Sequence, residues 1–350
     1  MKYISLLLIC LFTPLVMMGQ NKPTIYVLAT GGTIAGSGTS ETSSTYTAGG
    51  LTADQLIQAV PAIDKIANIK SEQIANIGSQ DMNQEIWLQL TNRINDLAKN
   101  PDITGFVITH GTDTQDETAY FLNLTIKTDK PVVLTGAMRP SNALSADGPR
   151  NLFNAVACAA SPTSKAKGVM IVMDDFILGA DDIQKSHTLT MGSFSNPNFG
   201  PLGIMYNEQP MFFRQSLKKH TTESIFDVKN IKQLPKVAIL MGYADADDMF
   251  IKAALEHKIE GIIYAGVGNG NMSTKVINTL SKAVQDRQLS VVRSSRLPLG
   301  PTTQWDEIDD DKLGFTTSWF LSPQKARILL MLALTKTNDY KEIQKYFTEY

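Results

Sequence analysis

Short apolar runs rich in Val and Ile recur at residues 24–29, 103–109, 132–136, 168–173, 237–242, 261–265 and 289–293, each bounded by Gly, Pro or Asp. Continuous apolar runs of this length, without polar alternation, predict strands buried on both faces. Between them lie stretches of helical character at 85–98, 114–124, 148–160, 245–256 and 273–286. That alternation predicts an α/β fold whose sheet is mostly parallel and covered on both sides. A polar stretch at 214–235, with Lys218-Lys219, Thr221-Thr222 and few sustained apolar positions, divides the first strand series from the second. It predicts a connector between two domains, 20–213 and 236–350. The length of 350 residues fits that division, because it exceeds the usual size of one hydrophobic core.

Two segments stand outside this alternation. Behind Lys2, residues 4–18 are apolar except for Ser5, Thr13 and Pro14, a run too short to span a bilayer comfortably. It predicts a secretory signal peptide over residues 1–19, with Gly19 the small residue before a cut ahead of Gln20. Met17 departs from the small residue expected two positions earlier, which keeps an uncleaved anchor as the competing reading. Cys10 lies inside the run, which disfavours lipoprotein attachment. Residues 36–50 are almost all Gly, Ser, Thr or Ala, with Tyr46 as the one aromatic. A loop of that length in a compact domain predicts a lid or a linker.

Charge narrows the partners. Basic and acidic residues number 32 and 34, giving a formal net charge of -2 with no basic block, which offers nucleic acid no electrostatic footprint. A small neutral or zwitterionic ligand fits better, and beyond the leader nothing in the chain reads as membrane-spanning. Past residue 20 the only cysteine is Cys158, so an intramolecular disulfide is excluded there. Its neighbours Asn154 to Ala160 predict a helix face and an inert buried thiol. His110, His187, His220 and His257 share no one-turn spacing and no Cys/His cluster, so a zinc site is not expected.

Two motifs end buried strands in Gly-Thr. The first, Thr30-Gly31-Gly32-Thr33-Ile34-Ala35-Gly36, lies at the carboxyl end of a predicted strand, where open α/β sheets place ligands. A phosphate loop needs Lys after its last glycine, and Ser37 stands there. A dinucleotide fingerprint fails too, because Gly266-Val267-Gly268-Asn269-Gly270 places Asn271 where a glycine should follow. What is left is a loop presenting the Thr33 hydroxyl, with a plain structural turn as the alternative. The second motif, His110-Gly111-Thr112-Asp113-Thr114, precedes a helix whose Thr114 and Glu117 match a capping box, so capping alone could account for it. Hydroxyls at strand mouths, backed by a helix N-terminus, suit a carboxylate and a developing oxyanion. A threonine nucleophile also requires a base. Tyr46 in the loop and Lys185 in Asp181-Asp182-Ile183-Gln184-Lys185-Ser186-His187 are candidates that local spacing cannot separate from surface residues, and no Gly-x-Ser-x-Gly elbow is present.

These two motifs together resemble the signatures of the bacterial L-asparaginases, and the resemblance covers essentially the whole chain after the leader. It continues through Asn76-Ile77-Gly78-Ser79-Gln80-Asp81-Met82, Gly136-Ala137-Met138-Arg139-Pro140-Ser141, the stretch from Ala265 to Asn271 and Val292-Arg293-Ser294-Ser295-Arg296. The leader and Ser79-Gln80-Asp81 point to the secreted type II branch, hence the periplasm. By resemblance, Thr33 attacks the amide carbon, Tyr46 closes over it, and Glu307 from a neighbouring subunit completes that triad. Thr112, Asp113 and Lys185 form the second group. Ser79 and Gln80 take the substrate carboxylate, and Asp113 and Glu307 its ammonium. Ala137 and Thr112 supply backbone N–H groups to the oxyanion, and Asn271 positions Glu307 across the subunit boundary. The resemblance implies hydrolysis of L-asparagine, with L-glutamine as a second substrate in the dual-specificity alternative, and no metal or cofactor. It also implies a larger amino-terminal domain, a smaller flavodoxin-like carboxyl-terminal domain and a homotetramer built from intimate dimers. Ala98 and Thr128 stand where some secreted members carry a disulfide. A periplasmic amino-acid-binding protein, with two α/β domains and a leader but no need of Thr33, Tyr46 or Lys185, is the rival from another class.

Overall fold

The computed structural model describes residues 22–42, 45–47, 49–286 and 289–350. The expected signal peptide lies outside the described residues. The first part of the chain forms β1 (Thr24–Gly31), β2 (Ser37–Gly38), β3 (Tyr46–Thr47), β4 (Asn68–Ile77), β5 (Ile103–Thr109), β6 (Val132–Thr135), β7 (Val169–Met173) and β8 (Phe176–Gly179). Then come β9 (Gln184–Lys185), β10 (Phe194–Ser195), β11 (Gly203–Tyr206) and β12 (Gln209–Phe212). Its helices are α1 (Ala53–Gln58), α2 (Ile63–Ile66), α3 (Gln84–Leu97), α4 (Gln115–Thr125) and α5 (Gly148–Ala160). The second part holds β13 (Val237–Met241), β14 (Gly261–Gly266), β15 (Ser290–Ser295) and β16 (Thr316–Thr317). Around them lie α6 (Met249–Glu256), α7 (Thr274–Gln285), α8 (Asp310–Leu313), α9 (Pro323–Ala333) and α10 (Tyr340–Glu349).

The large sheet has the order β12-β11-β8-β7-β6-β5-β1-β4. Strands β4, β1, β5, β6 and β7 pair in parallel, and β8, β11 and β12 continue antiparallel. The fold is therefore α/β with a mostly parallel sheet. Alternate residues of the central strands feed opposite cores: Leu28, Phe106, Ile108 and Leu134 face α3 and α4, whereas Ile25, Val27, Val107 and Val133 face α5. From β1 the chain moves to one neighbour, β4, and then crosses back to the other, β5. That reversal makes the carboxyl ends of β1 and β5 the switch point at which such sheets open a crevice. The second sheet runs β13-β14-β15-β16, all parallel and in chain order, with no reversal of its own.

Helix α9 joins the halves. Its Ile328, Leu329 and Leu332 share one core with Ile263 and Val292 of the small sheet and with Phe121 and Leu124 of α4. Ser322 caps it through the Lys325 N–H, and Pro323 occupies its first turn, where a missing N–H costs nothing. The polar stretch after Phe212 is irregular, yet Phe226, Val228 and Leu234 are buried against the same core.

Two expectations change in detail. The helix expected over 245–256 begins only at Met249, because Asp245 takes the left-handed φ of 64° and Asp248 becomes the N-cap residue. Residues 36–50 include a short hairpin, with Ser37 opposite Thr47 and Gly38 opposite Tyr46. Asn142 fixes it by exchanging two hydrogen bonds with Gly38, at 2.7 and 2.8 Å. Near Ala98 and Thr128, which stand where some secreted members of the family carry a disulfide, Asn95 ties α3 to the chain after α4. It accepts from the Lys127 N–H at 2.6 Å and donates to the Thr125 carbonyl at 3.3 Å.

Candidate active site

The switch point brings two glycine-threonine loops into contact. Pairing in register, Ala29 with Thr109, sends β1 and β5 out of the sheet side by side. Each continues into a short turn, Thr33–Ala35 and Thr112–Thr114. Gly32, at φ 84°, lies so near Gly111 that a Cβ on it would stand 2.3 Å from the Gly111 nitrogen. Gly111 in turn packs on Ser79, where a Cβ would stand 2.7 Å from Oγ. Glycine at both positions is therefore what lets the loops after β1, β5 and β4 converge. Thr33, Thr112 and Ser79 are all buried, at 6%, 5% and 5% exposure.

Hydrogen bonds fix the Thr112 loop from behind. His110 is fully buried, and its Nδ1 lies 2.6 Å from the Gly111 carbonyl oxygen. A proton on Nδ1 leaves Nε2 to accept from Thr118 Oγ1 at 2.9 Å, and Thr118 accepts from Trp87 Nε1 at 2.8 Å. Burial lowers the His110 pKa to about 4 and so keeps this relay neutral. Ser79 Oγ accepts from the Asp113 N–H at 3.0 Å, while Thr114 Oγ1 donates to the Ser79 carbonyl at 2.7 Å. Thr114 occupies the N-cap position of α4 but makes no side-chain cap, so the expected capping box does not form. Its hydroxyl ties the two loops instead.

Lys185 completes the cluster. Its Nζ donates to Thr112 Oγ1 at 2.9 Å and to Asp113 Oδ1 at 2.6 Å. The lysine side chain is 17% exposed and Asp113 60%, so the ammonium is sheltered while the carboxylate stands open toward solvent. A hydroxyl, an amine and a carboxylate in one bonded chain can pass a proton and hold the ammonium of a ligand. A cavity of about 290 Å³ opens beside them, lined by Asp113, Lys185, Ser186, His187 and Thr188. A larger cavity of about 710 Å³ under the small sheet is lined by residues such as Leu289, Val291 and Leu330 and brings no comparable cluster together, so chemistry rather than size locates the site. Ala137 follows β6 fully buried, and a Cβ on its neighbour Gly136 would stand 3.2 Å from Thr112 Cγ2, which puts that loop against the same threonine.

The remaining expected residues are distributed around this centre. Gln80 is exposed beside Ser79. Tyr46 lies in β3, and its side chain is outside what is described. Asn271 and Glu307 belong to loops of the second domain, where Asn271 Nδ2 donates to Glu307 Oε2 and makes the two one unit. Reading the sequence alone misses Asp116, whose Oδ2 accepts from the Lys185 N–H at 3.4 Å, and Lys325, whose Nζ donates to the Ile183 carbonyl. A signal for the second existed: three and four residues beyond Lys325 come the buried Ile328 and Leu329, so the lysine shares the buried face of α9. Among the described residues no group of His, Cys, Asp or Glu is placed to hold a metal ion, and no helix is long and apolar enough to cross a membrane.

Comparison with known proteins identifies the family. Residues 24–218 match the family described as Asparaginase, N-terminal, and residues 236–347 match the Glutaminase/Asparaginase C-terminal domain. L-asparaginase 2 of Escherichia coli (strain K12) is 51% identical over 328 residues, covering 94% of this chain and 93% of that protein. The Glutaminase-asparaginase of Pseudomonas fluorescens biotype A is 45% identical over 93% of this chain and 90% of its own length. Among solved structures, the "Probable Cytoplasmic L-asparaginase from Campylobacter jejuni" superposes with a TM-score of 0.91 at 49% identity, covering 94% of this chain and 100% of that one. With both halves matched in order and relatives this similar over almost the entire length, the chain belongs to the bacterial L-asparaginase family, in its type II group.

Proposed function

We propose that the chain hydrolyses the side-chain amide of L-asparagine to L-aspartate and ammonia through a threonine acyl-enzyme. The observation that carries this reading is the Lys185 amine bonded to both the Thr112 hydroxyl and the Asp113 carboxylate, in a loop that packs against the Thr33 turn through Gly32 and Gly111. Thr33 Oγ1 attacks the amide carbon and gives up its proton toward Tyr46, which Glu307 supports. The carbonyl oxygen becomes an oxyanion met by backbone N–H groups near Ala137 and Thr112. The C–N bond then breaks, the nitrogen takes the proton and departs as ammonia, and the Thr33 ester is left. Water, oriented through Thr112 and Lys185, adds to the ester carbon, and cleavage of the C–O bond returns the Thr33 hydroxyl and releases aspartate.

Binding follows from charge. Asp113 and Glu307 take the substrate ammonium, while Ser79 and Gln80 donate to its carboxylate. The exposed Glu307, bonded to Asn271 on the second domain, suits delivery into the site of a neighbouring copy, and the proposed active form is the homotetramer of intimate dimers that the family resemblance implies. The domains run 20–213 and 236–350 with the connector between, and residues 1–19 direct the chain to the periplasm, the location named for the "Probable L-asparaginase periplasmic" of Haemophilus influenzae.

The test is ammonia release from L-asparagine and L-glutamine by the purified chain lacking residues 1–19, beside Thr33→Ala and Lys185→Met. Rapid release from asparagine, slower release from glutamine, a loss of about 10²–10⁴-fold in Lys185→Met and a larger loss in Thr33→Ala are expected, since proton-transfer groups contribute at the first scale and a covalent nucleophile more. Comparable rates on both substrates would instead assign dual specificity, because one methylene separates substrates by only about 1–3 kcal/mol. Binding of asparagine without any release would leave an amino-acid-binding protein.

A further inference from the structure

We propose that Lys325, carried by α9 of the second domain, is a positioning residue for Lys185 of the first; this rests on the reading of Lys185 given above. Lys325 is 2% exposed, and its ammonium donates to the carbonyl of Ile183, two residues before Lys185. Asp116 at the start of α4 accepts from the Lys185 N–H at 3.4 Å, so the backbone on either side of Gln184 is gripped by one side chain from each helix. The opposite edge of this short strand is held by β10, with Phe194 opposite Lys185. Just before it, Asp182 is fixed by the Asn198 and Phe199 N–H groups at 3.0 and 2.8 Å. The strand is thereby pinned along both edges. Lys185 then reaches back to Thr112 and Asp113 with its side chain.

Packing does not require a lysine at 325. Its neighbours Ala326, Ile328 and Leu329 are buried in an apolar contact with α4, where an aliphatic residue would pack without desolvating a charge. Burial disfavours the charged form of Lys325, and the negative charges of Asp116, Asp182, Asp181 and Glu117 partly offset it. The ammonium donates to the Ile183 carbonyl and feels these carboxylates only through their field, neither of which an aliphatic side chain reproduces. Lys185 must meet a hydroxyl and a carboxylate at hydrogen-bond distance, and displacement by about 1 Å can cost a reaction up to roughly 100-fold. Lys325 thus makes the packing of the two domains within one chain set the geometry of the Thr112, Asp113 and Lys185 group.

The test is steady-state kinetics on L-asparagine with purified Lys325→Met beside the wild type. A kcat lower by roughly 10–100-fold with KM within about 3-fold is expected. The variant also leaves Asp116 without its counter-charge, so its Tm should fall. Adding Asp116→Asn should restore Tm, since a neutral amide needs no counter-ion and its oxygen can still accept from the Lys185 N–H, yet leave kcat low because the Ile183 carbonyl still lacks its donor. Wild-type kcat in Lys325→Met, or kcat that returns together with Tm in the double variant, would overturn the proposal. Should Lys325→Met fail to fold, Lys325→Arg keeps the charge but displaces the donor; a several-fold lower kcat at unchanged KM supports the assignment, and wild-type kcat overturns it. Lys185→Met separates the two levels. An active Lys185→Met would overturn the function reading and this inference together, whereas an inactive one beside a fully active Lys325→Met would overturn this inference alone.

Discussion

The contact between Gly32 and Gly111 offers a direct way to ask whether convergence of the two threonine loops produces activity. In Gly32→Ala the new Cβ would lie 2.3 Å from the Gly111 nitrogen and 2.4 Å from its Cα, both backbone atoms that cannot swing aside. Restoring ordinary contact, at about 3.5 Å, requires the loops to separate by about 1 Å. Two costs follow. Alanine at φ 84° and ψ -173°, a region essentially reserved for glycine, carries about 1–3 kcal/mol of backbone strain. Separation of Thr33 from the Thr112 loop removes up to roughly 100-fold of rate, whatever the stability. Gly200→Ala serves as a control for a Cβ at positive φ without a steric clash, because Gly200 has φ 77° and nothing within 4 Å of its would-be Cβ. Both variants should be compared for kcat per folded protein, by ammonia release, and for Tm. Gly200→Ala is expected to lose about 1–2 kcal/mol of stability and keep wild-type kcat, whereas Gly32→Ala loses about 100-fold in kcat as well. Equal kcat in the two variants would refute the idea that close approach of these loops assembles the site.

Other consequences can be checked separately. Arg293 and Asp310, 1% and 0% exposed, pair through two hydrogen bonds of 2.5 and 2.8 Å, so Asp310→Ala should cost about 3–5 kcal/mol in urea unfolding; an unchanged midpoint would mean that the carbonyls of Asn269 and Thr303 satisfy the guanidinium alone. Burial, and then the nearby Asp116, raise the Glu117 pKa from 4.5 to about 7, so the stability it contributes is present below pH 4.5 and is lost as pH rises through about 7. Glu117→Gln should therefore match the wild type near pH 4.5 and exceed it at pH 8 by on the order of 2 kcal/mol, and an equal Tm difference at both pH values would contradict this. The Cys158 thiol is fully buried and pushed up to about 12, so the folded protein should resist a thiol reagent until denatured, while rapid labelling of native protein would show that α5 opens.

The strands legible in the sequence are those whose surroundings are apolar on both sides, because a run such as Phe106 to Ile108 has no polar alternative. Strand β4 escaped notice for the opposite reason. It lies at the sheet edge, its sequence NIKSEQIANI mixes charge with apolar residues, and no residue of it is fully buried. The Gly-Thr turns were legible because a glycine-rich turn after a buried strand is a local pattern. Local pattern could not say that Gly32 touches Gly111, since that requires β1 and β5 to be neighbours although β4 lies between them in the chain. Lys185 is less visible still, for it sits in a strand of two residues and its value comes from Thr112 and Asp113, more than seventy positions away. Resemblance to a family implies that pairing, and the fold supplies its physical cause. Capping boxes and apolar periods are local properties of a chain, whereas an amine is brought onto a hydroxyl by the packing of distant helices. The same reasoning predicts where further determinants of this site lie: on buried polar side chains that break an otherwise apolar face, as Lys325 does on α9, rather than on the exposed residues beside the cavity.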